Sequence, residues 1–284
     1  MSDPVTVVEV GPRDGLQNEA AVVSASDKVR LIERLADADL PVVEATSFVS
    51  PKAVPQLADA DEVLPAVRRR QGVRYPVLVP NVRGLDRALA AGADAIAVFT
   101  AASDEFTRAN IGMTIAESLL AFAPVLQRAH AEGIWTRGYI STAFGCPYSG
   151  AVQPEVVAGV AAALRGLGCG QISIGDTIGV GQPEQVPRVV GAVAGSVPVE
   201  EIALHLHDTG GLALENVAAG LDSGVRIFDS SAGGLGGCPF APGAPGNLST
   251  EALVGFLLER GHETGVDLEA VRETGAWMRG LVGR

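Results

Sequence analysis

The sequence predicts an α/β protein of the (β/α)8 TIM-barrel class with one extra C-terminal helix. Three observations carry this: Val/Ile-rich strands alternate with helical patterns, the alternation runs eight times, and no linker or low-complexity segment breaks it. Strands without alternating charges are buried on both faces, as parallel strands covered by helices are. A length of 284 residues lies near the size such barrels reach as one domain, so 1–284 is read as a single catalytic domain. An open doubly wound sheet is the structural alternative.

The first strand is read at 5–10. A helix at 26–39 follows, because Val29, Ile32, Leu35 and Ala36 fall on one stripe and Ser24 or Ser26 supplies an N-cap oxygen. Later strands are expected at 42–48, 75–79, 95–100, 136–141, 171–175, 202–207 and 225–229. Helical patterns lie near 57–70, 83–92, 114–132, 154–167, 183–195, 211–223 and 249–260, joined by short Gly- or Pro-containing connections. Residues 267–282 read as a further helix packed on the outside or against a partner subunit.

Composition excludes several function classes. Thirty-three acids against 21 bases leave a net charge of −12, the wrong sign for a nucleic-acid surface, and Arg68-Arg69-Arg70 reads as a solvated helix end. Although 47% of residues are hydrophobic, no apolar run reaches the ~18 residues of a membrane span. Met1-Ser2-Asp3-Pro4 enters the first strand without a signal or transit pattern, so a cytoplasmic location is expected. Cys146, Cys169 and Cys238 match neither a disulfide framework nor a zinc motif, and any important one would act as a thiol.

Polar residues cluster where such barrels build active sites, at the carboxyl ends of the strands. His205 and His207, two apart in a strand, share a face and could together hold a metal. The first strand ends in Arg13 and Asp14, the second carries Glu44 and Ser47, the sixth runs into Asp176, and the eighth opens into a Gly-rich loop around Cys238. Taken singly, each has a structural reading: Asp14 and Asp176 as helix caps, Glu44 as a partner for Arg13, Cys238 as a small buried hydrophobe. Their convergence on one rim argues for function. A carboxylate and two imidazoles with water suit Mg2+ or Mn2+ better than structural zinc, although zinc with an open position also fits. Gly233-Gly234-Leu235-Gly236-Gly237 is not a nucleotide-binding fingerprint; it suits a mobile flap closing a thiol over substrate.

The stretch Val10-Gly11-Pro12-Arg13-Asp14-Gly15-Leu16-Gln17-Asn18-Glu19 resembles the first-strand motif of 3-hydroxy-3-methylglutaryl-CoA lyases. The blocks at 46–52, 145–148, 175–181 and 234–239 resemble that family in its order. The resemblance spans residues 5–265 and implies divalent-metal-dependent retro-Claisen cleavage of a 3-hydroxy-3-methylglutaryl-CoA-like thioester, giving acetyl-CoA and a 3-keto acid. It implies Asp14, His205, His207 and Asn247 as metal ligands, Arg13 on the enolate oxygen, Glu44 steadying Arg13, and Cys238 as the acid that protonates the enolate carbon. Asp14 or His205 is the expected base. Gln17, Ser47, Asn110, Ser173 and Asp176 match polar positions of the family's pocket, as contacts to the substrate or to the residues that hold it, and a homodimer is the expected assembly.

Two departures stand out. Gly210-Gly211-Leu212 replaces the Tyr-Gly-Gln or Arg-containing run of better-known members, and Ala20 stands where many carry a lysine, removing a contact to the acidic CoA moiety. A different C3 substituent is therefore left open. Three rivals are a Claisen-type synthase, which would need a second domain, a CoA-independent metal aldolase, which would not need Cys238, and a non-catalytic acyl-CoA-binding barrel.

Overall fold

The computed structural model describes residues 4–236 and 246–284. Its strands are β1 (Thr6–Glu9), β2 (Val42–Val43), β3 (Thr46–Ser47), β4 (Val77–Leu78), β5 (Ala95–Ala101), β6 (Trp135–Ser141), β7 (Gln171–Asp176), β8 (Ile202–Leu206) and β9 (Ile227–Ser230). All pair in parallel, in the order β2-β1-β9-β8-β7-β6-β5-β4-β3. The two ends of that order are halves of one expected strand, parted only by Glu44 and Ala45. Glu44 N–H donates to Glu9 O at 2.8 Å and Ala45 N–H to Pro76 O at 2.9 Å, so the edges meet and the sheet closes. Closure makes the eight expected strands a barrel and removes the open-sheet alternative.

The helices are α1 (Ala25–Asp37), α2 (Ala60–Ala66), α3 (Val82–Ala90), α4 (Asp104–Ile111), α5 (Ile115–Ala131), α6 (Pro154–Gly166), α7 (Val186–Val193), α8 (Ala213–Asp222), α9 (Thr250–Glu259) and α10 (Leu268–Val282). Ser24 caps α1 by accepting from Asp27 N–H, and Leu31, Ile32, Leu35 and Ala36 are buried, while Val29 is only half-buried. The expected helix at 57–70 shrinks to α2, because the chain turns extended at Val67. Helix α4 was not expected: it is a short helix begun by the Ser103 cap, set between β5 and α5. Helix α10 lies against α1, with Trp277 between the guanidinium groups of Arg30 and Arg34 at 4.9 and 5.3 Å. No single described helix is long and apolar enough to cross a membrane.

The barrel interior is layered. Its floor is apolar, built by Val8, Val10, Val42, Ala203 and Ile227. Higher up, Leu78, Ala97 and Tyr139 pack with Val49 and Phe99 on one side. The other side is charged: Arg137 is fully buried and paired with the equally buried Asp229. Such a pair offsets its desolvation only through close contact and further hydrogen bonds, and Asp229 has two further partners, Ser173 Oγ at 2.9 Å and His205 Nδ1 at 3.3 Å.

Candidate active site

The carboxyl end of β1 turns at once. The N–H groups of Arg13, Asp14 and Gly15 all donate to Val10 O, at 3.2, 2.7 and 3.1 Å, making a tight turn that presents two successive charged side chains at the rim. Arg13 is gripped from three sides: Glu44 Oε2 at 2.8 Å, Asp14 Oδ1 at 2.5 Å, and the ring of Tyr139, 5.3 Å beneath its guanidinium carbon. Tyr139 donates its hydroxyl to Glu44 at 3.1 Å. Burial works against the Arg13 charge, but Glu44 and Asp14 outweigh it and raise its pKa above the ordinary value. Burial, then Glu44, pushes Tyr139 well above the usual phenol range, so it stays a donor.

Three metal-capable groups meet beside Arg13. One ligand atom each from Asp14, His205 and His207 lies within 4.8 Å of the others. Strand β8 and its continuation to His207 put both imidazoles on the same interior face, their ring centroids 5.3 Å apart. His205 Nδ1 lies 3.3 Å from Asp229 Oδ2, which orients the ring and leaves Nε2 facing Asp14 at 4.0 Å. Burial would lower the His205 pKa, but Asp229 and Asp14 raise it. His207 is the contrast: burial, with His205 as a like charge, pushes it down to about 4, so at neutral pH it is an unprotonated imidazole. Its buried Nδ1 has no partner. Asp14, despite its burial, is held well below the usual carboxylate range by Arg13, His205 and the Asn247 amide. An unpartnered imidazole nitrogen on His207, the second imidazole of His205 and the ionised carboxylate of Asp14 form a donor set that fits a divalent cation.

Asn247 comes from the far end of the chain. It bridges His207 backbone to backbone, and its Nδ2 donates to Asp14 Oδ2 at 2.9 Å and Leu235 O at 3.1 Å. Gly236 makes room for this. Its φ of +94° belongs to the left-handed region, and a Cβ there would lie 2.6 Å from Asn247 Nδ2. Below it, buried Glu9 accepts from Gly11 N–H at 2.8 Å, Ala232 N–H at 2.9 Å and Thr250 Oγ1 at 2.6 Å, tying the β1 and β9 loops together. Cys238 lies outside the described residues.

The groups open onto a cavity of about 770 Å³. Arg13, Asp14, Gln17, Asn110, Ser173, His205 and His207 line it. Two expected pocket residues do not: Ser47 is buried, with Leu78 O and Val49 N–H at 3.5 and 3.4 Å, and Asp176 accepts from Val180 and Gly181 N–H at 3.1 and 2.9 Å. Asp176 thus braces the loop after β7, as a cap does. The reading from sequence missed Tyr139, Arg137, Asp229 and Glu9. For the first two a signal existed: Arg137, Tyr139 and Ser141 recur at period two along an expected strand, and so face the interior together.

Comparison with known proteins settles the family. The HMGL-like family model matches residues 4–278. This chain belongs to the HMGL-like family. The mitochondrial hydroxymethylglutaryl-CoA lyase of Bos taurus is 53% identical over 274 residues, 96% of this chain and 84% of its own length. The HMG-CoA lyase structure from Brucella melitensis superposes with a TM-score of 0.98 at 51% identity, covering 100% of both chains. A third, an HMG-CoA lyase from Acenitobacter baumannii solved with coenzyme A and 3-methylmalate, gives a TM-score of 0.95 at 39% identity, covering 100% of this chain and 94% of that one.

The HMGL-like chain is accordingly a carbon–carbon lyase. The fold also explains its Gly210. A Cβ there would lie 2.7 Å from Gly179 O, because the loops after β7 and β8 touch backbone to backbone. A larger residue at 210 needs a different path for one of the two loops, so the departure is a matter of loop packing as well as of a missing side chain.

Proposed function

We propose that this lyase cleaves 3-hydroxy-3-methylglutaryl-CoA, or a close 3-hydroxy-3-alkylglutaryl-CoA, to acetyl-CoA and a 3-keto acid, acetoacetate for the parent substrate. The observation that carries the proposal is the Asp14–His205–His207 cluster beside the braced Arg13, inside a cavity of about 770 Å³. Asp14, His205, His207 and Asn247 would hold Mg2+ or Mn2+, which when bound supplies Lewis-acid lowering of the substrate hydroxyl's pKa and a fixed point for its carboxylate.

The chain's own residues do the rest. Asp14 or His205 accepts the proton of the tertiary hydroxyl, whose oxygen electrons form the new ketone as the C2–C3 bond breaks. The bond's electron pair becomes a thioester enolate, with its oxygen facing Arg13; because Glu44, Asp14 and Tyr139 already hold that guanidinium, little reorganisation is needed as charge develops. Cys238 returns a proton to the enolate carbon, which completes acetyl-CoA; an ordinary thiol, with a pKa of ~8.5, is mostly protonated at neutral pH. Gln17, Asn110 and Ser173 line the space for the rest of the acyl group. We place the protein in the cytoplasm as a homodimer.

The test is to incubate the purified protein and Mg2+ with a panel of 3-hydroxy-3-alkylglutaryl-CoA thioesters and to measure acetyl-CoA. Release from the methyl compound or a homologue is expected; release from none of them removes the lyase reading. Condensation of acetyl-CoA with a 2-keto acid, or cleavage of a CoA-free hydroxy-keto acid, would favour the synthase or aldolase instead.

A further inference from the structure

The extra helix α10 lies against the start of the Gly-rich loop, and the contact is closer than ordinary side-chain packing. Gly233 and Gly275 meet backbone to backbone. A Cβ on Gly233 would lie 2.9 Å from Gly275 O; one on Gly275 would lie 2.6 Å from Gly233 N and run into Glu251 Oε1. Neither position admits a larger residue without moving the loop or the helix, and Gly233 also sits at a φ of +72°, which favours glycine.

Three carboxylates hold backbone N–H groups of the segment that leads to Cys238. Glu9 of β1 accepts from Ala232 N–H at 2.9 Å. Glu251, in the first turn of α9, accepts from Gly233 N–H with both oxygens, at 2.9 and 3.0 Å. Glu19, after the β1 turn, accepts from Gly236 N–H at 3.3 Å. Glu251 acts on Glu9 as a like charge, so gathering acids here carries a repulsive cost. Two cations from one segment offset it. Arg279 of α10 lies 3.7 Å from Glu251 Oε1, and Arg284, just beyond the same helix, lies 3.1 Å from Glu19 Oε1. Both acid side chains are mostly covered and both arginines are partly exposed, so the counter-charge reaches the loop from the outer helix.

We propose that α10 is the strut that sets the loop leading to Cys238, with Gly275, Arg279 and Arg284 as positioning residues: Gly275 seats Gly233, and the two arginines keep Glu251 and Glu19 aimed at the N–H groups of Gly233 and Gly236. The inference rests on the reading of Cys238 as the acid that protonates the enolate carbon, and adds what aims that thiol. Hydrogen bonds to ionised acceptors are stronger than neutral ones, so anchoring this backbone at three N–H groups fixes a path that its own glycines do not. A reacting group displaced by about 1 Å can lose on the order of 100-fold in rate, which is how a helix outside the barrel bears on chemistry inside it.

The experiment compares wild type with Arg279→Met/Arg284→Met and, separately, with Gly275→Ala. Hydrogen–deuterium exchange is followed in the peptide covering 231–236, and steady-state kinetics on 3-hydroxy-3-methylglutaryl-CoA with Mg2+. In both variants exchange in that peptide should speed up by about tenfold, and kcat should fall by on the order of tenfold with KM and metal content unchanged. Strands β5 to β7 should exchange as in wild type. Arg279→Lys/Arg284→Lys, which keeps the charges, should restore most of both losses. Arg272→Met should change neither, since Arg272 pairs with Glu269 of its own helix. Unchanged exchange at 231–236, or unchanged kcat despite faster exchange, overturns the strut. So does faster exchange that extends equally to β5–β7, which is loss of stability alone. Should wild type cleave no thioester, or Cys238→Ser turn over normally, the reading beneath fails, while exchange at 231–236 still decides whether α10 holds the loop.

Discussion

The buried pair under the site offers the sharpest quantitative test. Arg137 and Asp229 have side chains with 0% exposure, and Arg137 also lies 4.9 Å from the Tyr139 ring centroid. Arg137→Met removes one charge and leaves Asp229 with only Ser173 Oγ and His205 Nδ1. Breaking a buried pair from one side costs about 3–5 kcal/mol, because the remaining charge keeps its desolvation penalty. At about 2–4 °C per kcal/mol for chains near this size, the melting temperature should fall by roughly 10 °C. Differential scanning calorimetry at pH 7.5 measures this, and Arg137→Met/Asp229→Asn, with both charges gone, should recover part of the loss. A single variant that melts within about 2 °C of wild type would refute the assignment of Arg137 as the counter-charge of Asp229.

Three further outcomes are expected. His207→Ala should abolish metal retention while the circular dichroism spectrum stays native, because it removes one member of the Asp14–His205–His207 cluster and no packing of the barrel wall; elemental analysis after gel filtration reads it. Cys238→Ser should cut turnover by orders of magnitude at unchanged metal content, and normal turnover would take the thiol out of the mechanism. Burial raises Glu9 to about 7 against an ordinary value of 4.5, so the folded state holds a proton there that the unfolded chain has already lost. Its contribution is complete below pH 4.5 and fades as pH climbs to about 7, and Glu9→Gln should flatten the fall in stability over that window by up to about 3 kcal/mol in denaturant titrations at successive pH values.

The repeating strand–helix pattern, the paired histidines and the Arg13–Asp14 turn were legible because each is a local matter of periodicity and of residue type at a strand end. The pairing of the interior charges was not. Arg137 and Asp229 are 92 residues apart, and period two puts Arg137 and Tyr139 on one face without saying which residues of other strands that face meets. Ser47 and Asp176 are also polar at strand ends, and which way each turns was not legible: one backs onto a neighbouring strand and the other onto its own loop. Helix α4 escaped because eight residues with a single cap leave a weaker periodic signal than α5 beside it.

What the sequence determined by itself was the class of chemistry: strand spacing sets His205 and His207 on one face, and the order of motifs along the chain names the family. Only the tertiary structure decided which groups work together. Asn247 meets Asp14 across 233 positions because the sheet pairs β1 with β9, and no local rule encodes a contact between the first and last strands of the chain. The same ring places Glu44 under Arg13, so the charge balance of the site is a property of the ring and not of any single stretch.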